Sequence, residues 1–198
     1  MASLAKAKEN LEARGYRVLL FPDRVSAAEY LDGAIDGTSV GFGGSVTLEQ
    51  LGLFPALGRH NTVFWHWKQN PADARASAAN AAVYLSSVNA LAETGELINI
   101  DGAGNRVAST LYGHRKVYLV IGRNKLAEDY DSALWRARNV AAPKNAQRLN
   151  CKTPCAVKGD RCYDCKSPDR ICCGLVVLWR PMMGQDIEIL LVDEDLGY

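Results

Sequence analysis

The cysteines are the residues whose type and spacing most clearly suggest chemistry. All six lie within 151–173, and the 150 residues before them contain none. Such clustering favours a metal over disulfides, which usually connect distant segments. Four thiolates can hold zinc or a 4Fe–4S cluster, and the spacing does not choose between these. The four with a symmetric spacing, six residues on either side of a Cys-x2-Cys pair, are Cys155, Cys162, Cys165 and Cys172. Cys151 and Cys173 remain as spare ligands or free thiols.

A glycine-rich turn at 41–47 is the second candidate, and it predicts a site for a small anion. It reads Gly-Phe-Gly-Gly-Ser-Val-Thr, so an apolar strand runs into a turn and then into a helix. Gly43 and Gly44 allow a ligand to approach the backbone closely, and Ser45 is a candidate N-cap. The N-terminus of a helix after such a turn favours phosphate or carboxylate. A tight turn without a ligand fits the same residues equally well.

The third candidate is a carboxylate followed by an amide and a guanidinium. Glu93 has small or apolar neighbours, where a raised pKa would suit a general base or a nucleophile. Asn105 and Arg106 can bind a carboxylate or phosphate. Alternatively, Glu93 caps backbone amides and Arg106 is a solvated surface charge. We predict that Glu93, Asn105 and Arg106 converge with Gly43, Gly44 and Ser45 on one cleft at the carboxyl ends of the strands.

The elements that must position these residues alternate between helical patterns and short apolar runs. Strands are predicted at 16–21, 38–42, 62–66, 83–87, 97–100, 117–121, 175–179 and 187–192, mostly as continuous apolar runs. Helices are predicted over 4–11, 25–35, 71–82 and 126–140, the second with a capping box of Ser26 and Glu29. The alternation predicts a three-layer α/β sandwich with a mostly parallel sheet. We expect one domain over 1–198, the Cys-rich insert at 151–173, and the last two strands either completing the sheet or forming an edge hairpin.

Composition narrows the classes of function. Hydrophobic residues make up 48% and charged residues 23%, which excludes a disordered chain. The net charge of +1 excludes an overall positive charge that would attract nucleic acid. The polar start lacks a signal sequence, and the apolar run at 172–179 is far shorter than the ~20 residues of a membrane span. We expect a cytoplasmic protein whose partner is a small anionic substrate or a redox protein. The sequence does not decide whether the chain forms a homo-oligomer.

The segment Ala90-Leu-Ala-Glu-Thr-Gly-Glu-Leu97 resembles the signature of the LUD (lactate-utilisation) domain family. The glycine turn at 41–47 and the closing Leu-Leu-Val-Asp-Glu-Asp-Leu-Gly at 190–197 agree with it, so the resemblance covers nearly the whole chain. The Cys-rich insert resembles that of short bacterial stand-alone members.

The resemblance implies a fold akin to CoA transferases, ribose-phosphate isomerases and glucosamine-phosphate deaminases. It also implies a link to lactate oxidation through iron–sulfur proteins, and so favours a 4Fe–4S cluster over zinc. The leading hypothesis is therefore a redox accessory or subunit of lactate-to-pyruvate oxidation. One alternative is a transferase or isomerase that uses Glu93, whose Glu-Thr-Gly turn is similar to the Glu-Asn-Gly of CoA transferases. Another is a ligand-binding protein with a structural zinc site.

Overall fold

The computed structural model describes residues 2–198, and its strands form two sheets. In chain order the strands are β1 (Arg17–Phe21), β2 (Ser39–Phe42), β3 (Thr62–Phe64), β4 (Val83–Ser86), β5 (Ala90–Ala92), β6 (Leu97–Asp101), β7 (Lys116–Gly122), β8 (Leu126–Ala127), β9 (Gly174–Leu178) and β10 (Ile187–Val192). The helices are α1 (Leu4–Ala13), α2 (Arg24–Ala34), α3 (Val46–Gln50), α4 (Leu53–Leu57), α5 (Pro71–Ala79), α6 (Asn105–Leu111), α7 (Tyr130–Arg136), α8 (Ala142–Arg148) and α9 (Pro154–Lys158). A 3-10 turn spans Arg123–Lys125, and a π-helical turn at Ala137–Ala141 joins α7 to α8.

The main sheet has six strands in the order β1-β10-β7-β4-β2-β3, and every neighbouring pair is parallel. The second sheet has the order β8-β5-β6-β9, in which β6 is antiparallel to both of its neighbours. The predicted α/β fold with a mostly parallel sheet is therefore confirmed.

Side chains alternate between the two faces of the main sheet and fill two cores. Val120 and Leu190 pack on one face with residues of α2, α3 and α4. Leu119 and Ile189 pack on the other face with α1 and with the second sheet. Helix α7 and the π-helical turn cover the far side of the second sheet. This burial fixes the strand ends, from which the loops of the site emerge.

The predicted arrangement of the last two strands needs a correction. Strand β10 does complete the main sheet, but it lies between β1 and β7 and not at an edge. Strand β9 instead pairs with β6 at the edge of the second sheet, so β9 and β10 form no hairpin. Every residue of β10 is buried, as a continuous apolar run in a covered parallel sheet requires.

Helix ends also differ from the prediction. Helix α2 is capped by Asp23, whose carboxylate accepts a hydrogen bond from the backbone N–H of Ser26 at 2.8 Å, so the Ser26–Glu29 capping box is wrong. The helix predicted over 126–140 begins only at Tyr130, because its first residues belong to β8. None of the helices within residues 2–198 has the length and apolar content needed to span a membrane.

Candidate functional site

A cleft opens where the parallel strands β2, β4, β7 and β10 end. The loops after these strands supply Ser45, Ser87, Lys125 and Gly197 to its deep end, which has a volume of about 80 Å³. A wider outer part of about 820 Å³ continues from Gly44 and Arg106 towards the Cys-rich insert. The cleft therefore lies at the carboxyl ends of the strands, as predicted.

Lys125 is a buried cation at the deep end of this cleft. The side chain is 4% exposed, and its Nζ donates to Thr47 Oγ1 at 2.7 Å and Ser87 Oγ at 2.8 Å. A third bond runs to the carbonyl oxygen of Val88 at 3.1 Å. All three acceptors are neutral, so the ammonium is well hydrogen-bonded, but no carboxylate among residues 2–198 forms an ion pair with it.

The charge of Lys125 is costly in this position. Burial lowers its pKa well below the usual value, and the nearby charges of Arg136 and Arg106 lower it further. Burial also lowers the pKa of Arg136 to about 10. Since a buried charge requires a partner, an anion at the deep end would stabilise the charged form of Lys125.

Arg106 is held rigidly by the loops around it. It donates to the carbonyl oxygen of Ile100 at 2.8 Å and to Asn89 Oδ1 at 3.2 Å. It also donates to the side chain of Asn99 and forms an ion pair with Asp101 at 3.4 Å. Its side chain is only 13% exposed, so the alternative of a solvated surface charge does not hold.

The glycine turn contributes to the shape of the cleft more than to its electrostatic potential. A Cβ on Gly43 would lie 3.2 Å from Arg106 Cγ, and one on Gly44 would lie 3.1 Å from Trp67 Nε1. Ser45 caps α3 as predicted, because its Oγ accepts from the N–H of Leu48 at 3.3 Å. That helix has only five residues, so its N-terminus attracts an anion weakly. The positive charge at the cleft comes instead from the side chains of Lys125 and Arg106.

Glu93 lies apart from the other predicted site residues. Gly43, Gly44, Ser45, Asn105 and Arg106 come together at the cleft, which Glu93 does not line. Its carboxylate accepts from the backbone N–H of Ser3 and pairs with Lys6 at 3.0 Å. These contacts lower its pKa, so the predicted raised pKa is wrong. Glu93 thus caps backbone at the start of α1, which is the alternative that the sequence left open.

The four cysteines of the symmetric pattern are close enough to interact electrostatically. Burial raises the pKa of the Cys172 thiol to about 11, and the charges of Cys162, Cys155 and Cys165 raise it as well. None of the six cysteines, all within the described residues, forms a disulfide. Within residues 2–198, no group of three or more His, Cys, Asp or Glu side chains is arranged as a metal-ion site.

Two hydrogen-bond donors lie close to one of these thiols. The backbone N–H of Asp164 points to Cys162 Sγ at 3.4 Å, and Arg138 Nη2 lies 4.0 Å from the same sulfur. Both groups would stabilise a thiolate. Cys172 and Cys173 also line the outer cleft together with Arg106, which connects the insert to the cationic site.

Sequence reasoning missed Lys125 and Ser87, and it included Thr47 only as the last residue of the glycine turn. The only signal for Lys125 is its position just after the apolar run at 117–121, at the carboxyl end of a buried strand. Asn145 fits a solvated helical face by its sequence, but it lines the deep end of the cleft. Hydrogen bonds between residues 38 to 78 positions apart leave no local pattern.

Comparisons with known proteins agree with this architecture. The model of the LUD domain family matches residues 4–192. The crystal structure of a DUF162 family protein from Deinococcus radiodurans superposes with a TM-score of 0.54 at 12% identity, covering 96% of this chain and 95% of that one. At this identity the likeness concerns the fold alone. None of the curated proteins compared is significantly similar in sequence.

Proposed function

The chain belongs to the LUD domain family, and we propose that it is an iron–sulfur redox accessory of lactate utilisation that binds a small carboxylate in its cleft. One observation carries this proposal. The cleft has the cations Lys125 and Arg106 at one end, and Cys172 of the predicted cluster ligands on its outer wall.

The cationic end supports the choice of ligand. A carboxylate there would compensate Lys125, which has only neutral hydrogen-bond partners. The deep volume of about 80 Å³ suits a molecule of a few heavy atoms, such as lactate or pyruvate. Arg106 adds a second positive charge beside this end, although its Nη groups already donate to Ser87, Asn89, Asn99 and Ile100. It would therefore attract a carboxylate through its charge and not through a free pair of N–H donors.

The insert supports the redox part of the proposal. Cys155, Cys162, Cys165 and Cys172 would hold a 4Fe–4S cluster, whose chemistry when bound is one-electron transfer. Oxidation of lactate to pyruvate releases two electrons and two protons, so a single cluster does not complete it. A second electron acceptor on a partner protein is required, which is why we propose an accessory role.

The test is a titration of anaerobically purified protein with lactate and pyruvate, followed by calorimetry and by the visible spectrum. We expect saturable binding of at least one acid, at least tenfold weaker in Arg106→Gln, together with a change in the spectrum because Cys172 lines the same cleft. Lactamide, the neutral amide, is the control and should not bind. Binding of lactamide as tight as that of lactate would contradict the proposal, as would an unchanged spectrum at saturation.

A further inference from the structure

The outer part of the cleft contains two arginines that have no carboxylate partner among the described residues. Arg75 belongs to α5 and Arg148 to α8, and both line the cleft with His66 and Trp67. In the part of the chain that the structure describes, residues 2–198, neither guanidinium forms an ion pair. By contrast, Arg170 on the same wall pairs with Asp164 at 3.1 Å.

Arg148 is held in position before any ligand arrives. Its Cζ lies 4.4 Å from the centroid of the Trp67 ring, and its Nε and Nη2 donate to Asn145 Oδ1 at 3.1 and 2.8 Å. Trp67 is itself stacked on the buried Trp65 at 5.5 Å. Nη1 and the second proton of Nη2 remain for a ligand, and little side-chain freedom is left to lose on binding.

The two arginines line the same part of the cleft as His66. Burial lowers the pKa of His66, and the charges of both arginines lower it further. His66 Nε2 would be 3.3 Å from a Cβ on Gly44, which places this region at the boundary with the deep end. An anion bound in this part of the cleft would be attracted by both positive charges.

We propose that Arg75 and Arg148 form a phosphate-binding site at the mouth of the cleft, which receives the phosphate group of a small phosphorylated molecule. A phosphate monoester carries about −1.5 to −2 charges and three acceptor oxygens, which match two guanidinium groups. A carboxylate supplies one charge and two oxygens. The planar forks of two arginines suit several phosphate oxygens at once.

This site is separate from the carboxylate site of the proposed function, which depends on Lys125 and Arg106. A titration with inorganic phosphate and with glycerol phosphate, at constant ionic strength adjusted with chloride, tests it by calorimetry. We expect saturable binding that is at least tenfold weaker in Arg75→Gln and in Arg148→Gln. Arg59→Gln is the matched control, because Arg59 is an exposed arginine near Asp32 that does not line the cleft, and it should bind like the wild type.

The outcomes separate the sources and the sites. Tighter binding of glycerol phosphate supports a phosphorylated metabolite, and tighter binding of inorganic phosphate supports free phosphate at the same arginines. Lys125→Met should keep phosphate binding whether or not lactate binds, so the two proposals fail independently. Absence of saturable binding of either phosphate would overturn the inference. Wild-type affinity in both arginine variants, with thermal midpoints showing that they are folded, would overturn it as well.

Discussion

The two walls that meet at the cleft are held in place by different forces. The strand-end wall carries Lys125 on a turn directly after β7, and hydrogen bonds to neighbouring loops fix it. The wall formed by the insert contains one five-residue helix, α9, and no other helix or strand within 151–173. The first wall is positioned by burial before any ligand binds, whereas the second has little regular structure of its own, and we expect a bound metal to fix it.

The contacts within the insert are mostly polar and exposed. Arg170 donates to the carbonyl oxygens of Cys165 and Cys172 at 2.7 and 3.0 Å, and Lys152 donates its N–H to Asp169 at 2.9 Å. Val157, one of the few apolar residues of the insert, is 76% exposed. Such contacts contribute little to stability, so the comparison predicts that the two walls respond differently to mutation.

The largest effect is expected from the double substitution Cys162→Ser and Cys165→Ser. Metal binding should be abolished, and residues 151–173 should exchange amide hydrogens faster, while β7 and β10 keep their protection. Cys173→Ser is the matched control, because Cys173 is exposed and outside the symmetric pattern; it should keep its metal. Full metal content in the double variant would refute the ligand assignment.

The strand-end wall should respond most strongly to Gly41→Ala. The new Cβ would lie 2.5 Å from the carbonyl oxygen of Ala78, so β2 or α5 must shift. We expect a loss of about 1–3 kcal/mol, measured by urea unfolding, with unchanged metal content. Gly33→Ala in α2 meets nothing within 4 Å and should instead stabilise by up to about 1 kcal/mol. Equal stability of the two variants would show that β2 and α5 accommodate the added Cβ without cost.

Lys125→Met tests whether the buried charge of Lys125 lowers the stability of the protein while it favours the binding of an anion. Lactate affinity should fall at least tenfold. Because the folded-state pKa of Lys125 is lowered, the unfolded chain binds more protons between that pKa and about 10.4, and wild-type stability rises with pH across this window. Lys125→Met should therefore melt higher than the wild type at pH 7, with a difference that shrinks towards pH 10. A constant difference would indicate an ordinary pKa.

The smallest effect is expected from Glu93→Gln, since Glu93 lies outside the cleft. Its lowered pKa means that its contacts stabilise the protein above about pH 4.3 and are lost as the carboxylate protonates. The thermal midpoint should fall slightly at pH 7, by about 1–2 °C, and this difference should shrink as the pH falls through the lowered pKa of Glu93. Lactate binding should be unchanged. A loss of binding with a normal midpoint would restore a direct role for Glu93.

The sequence predicted more of the fold than of the site, for a physical reason. Continuous apolar runs such as 187–192 locate buried parallel strands because burial leaves a local pattern. The two- and three-residue strands β8 and β5 are too short for any periodicity. The sheet that a strand joins is decided by pairing with strands far away in the sequence. The partner of β9 was therefore not predictable from its own residues.

The same limit applies to the site residues. Arg106 and the glycine turn were predictable because their residue types suggest anion binding and backbone approach. Glu93 was misread because its small, apolar neighbours suggest desolvation, while the contacts that lower its pKa come from Ser3 and Lys6. Lys125 was missed since its environment is built by Thr47 and Ser87, which lie on other strand ends.

The most direct test of a cluster held by the four cysteines is iron and acid-labile sulfide analysis of protein purified without oxygen. We expect a brown protein with about four iron and four sulfide ions per chain, as a 4Fe–4S cluster requires. We also expect Cys155→Ser or Cys172→Ser to lower both together. A colourless protein with stoichiometric zinc, or with disulfides among these cysteines despite continuous reducing conditions, would contradict this assignment.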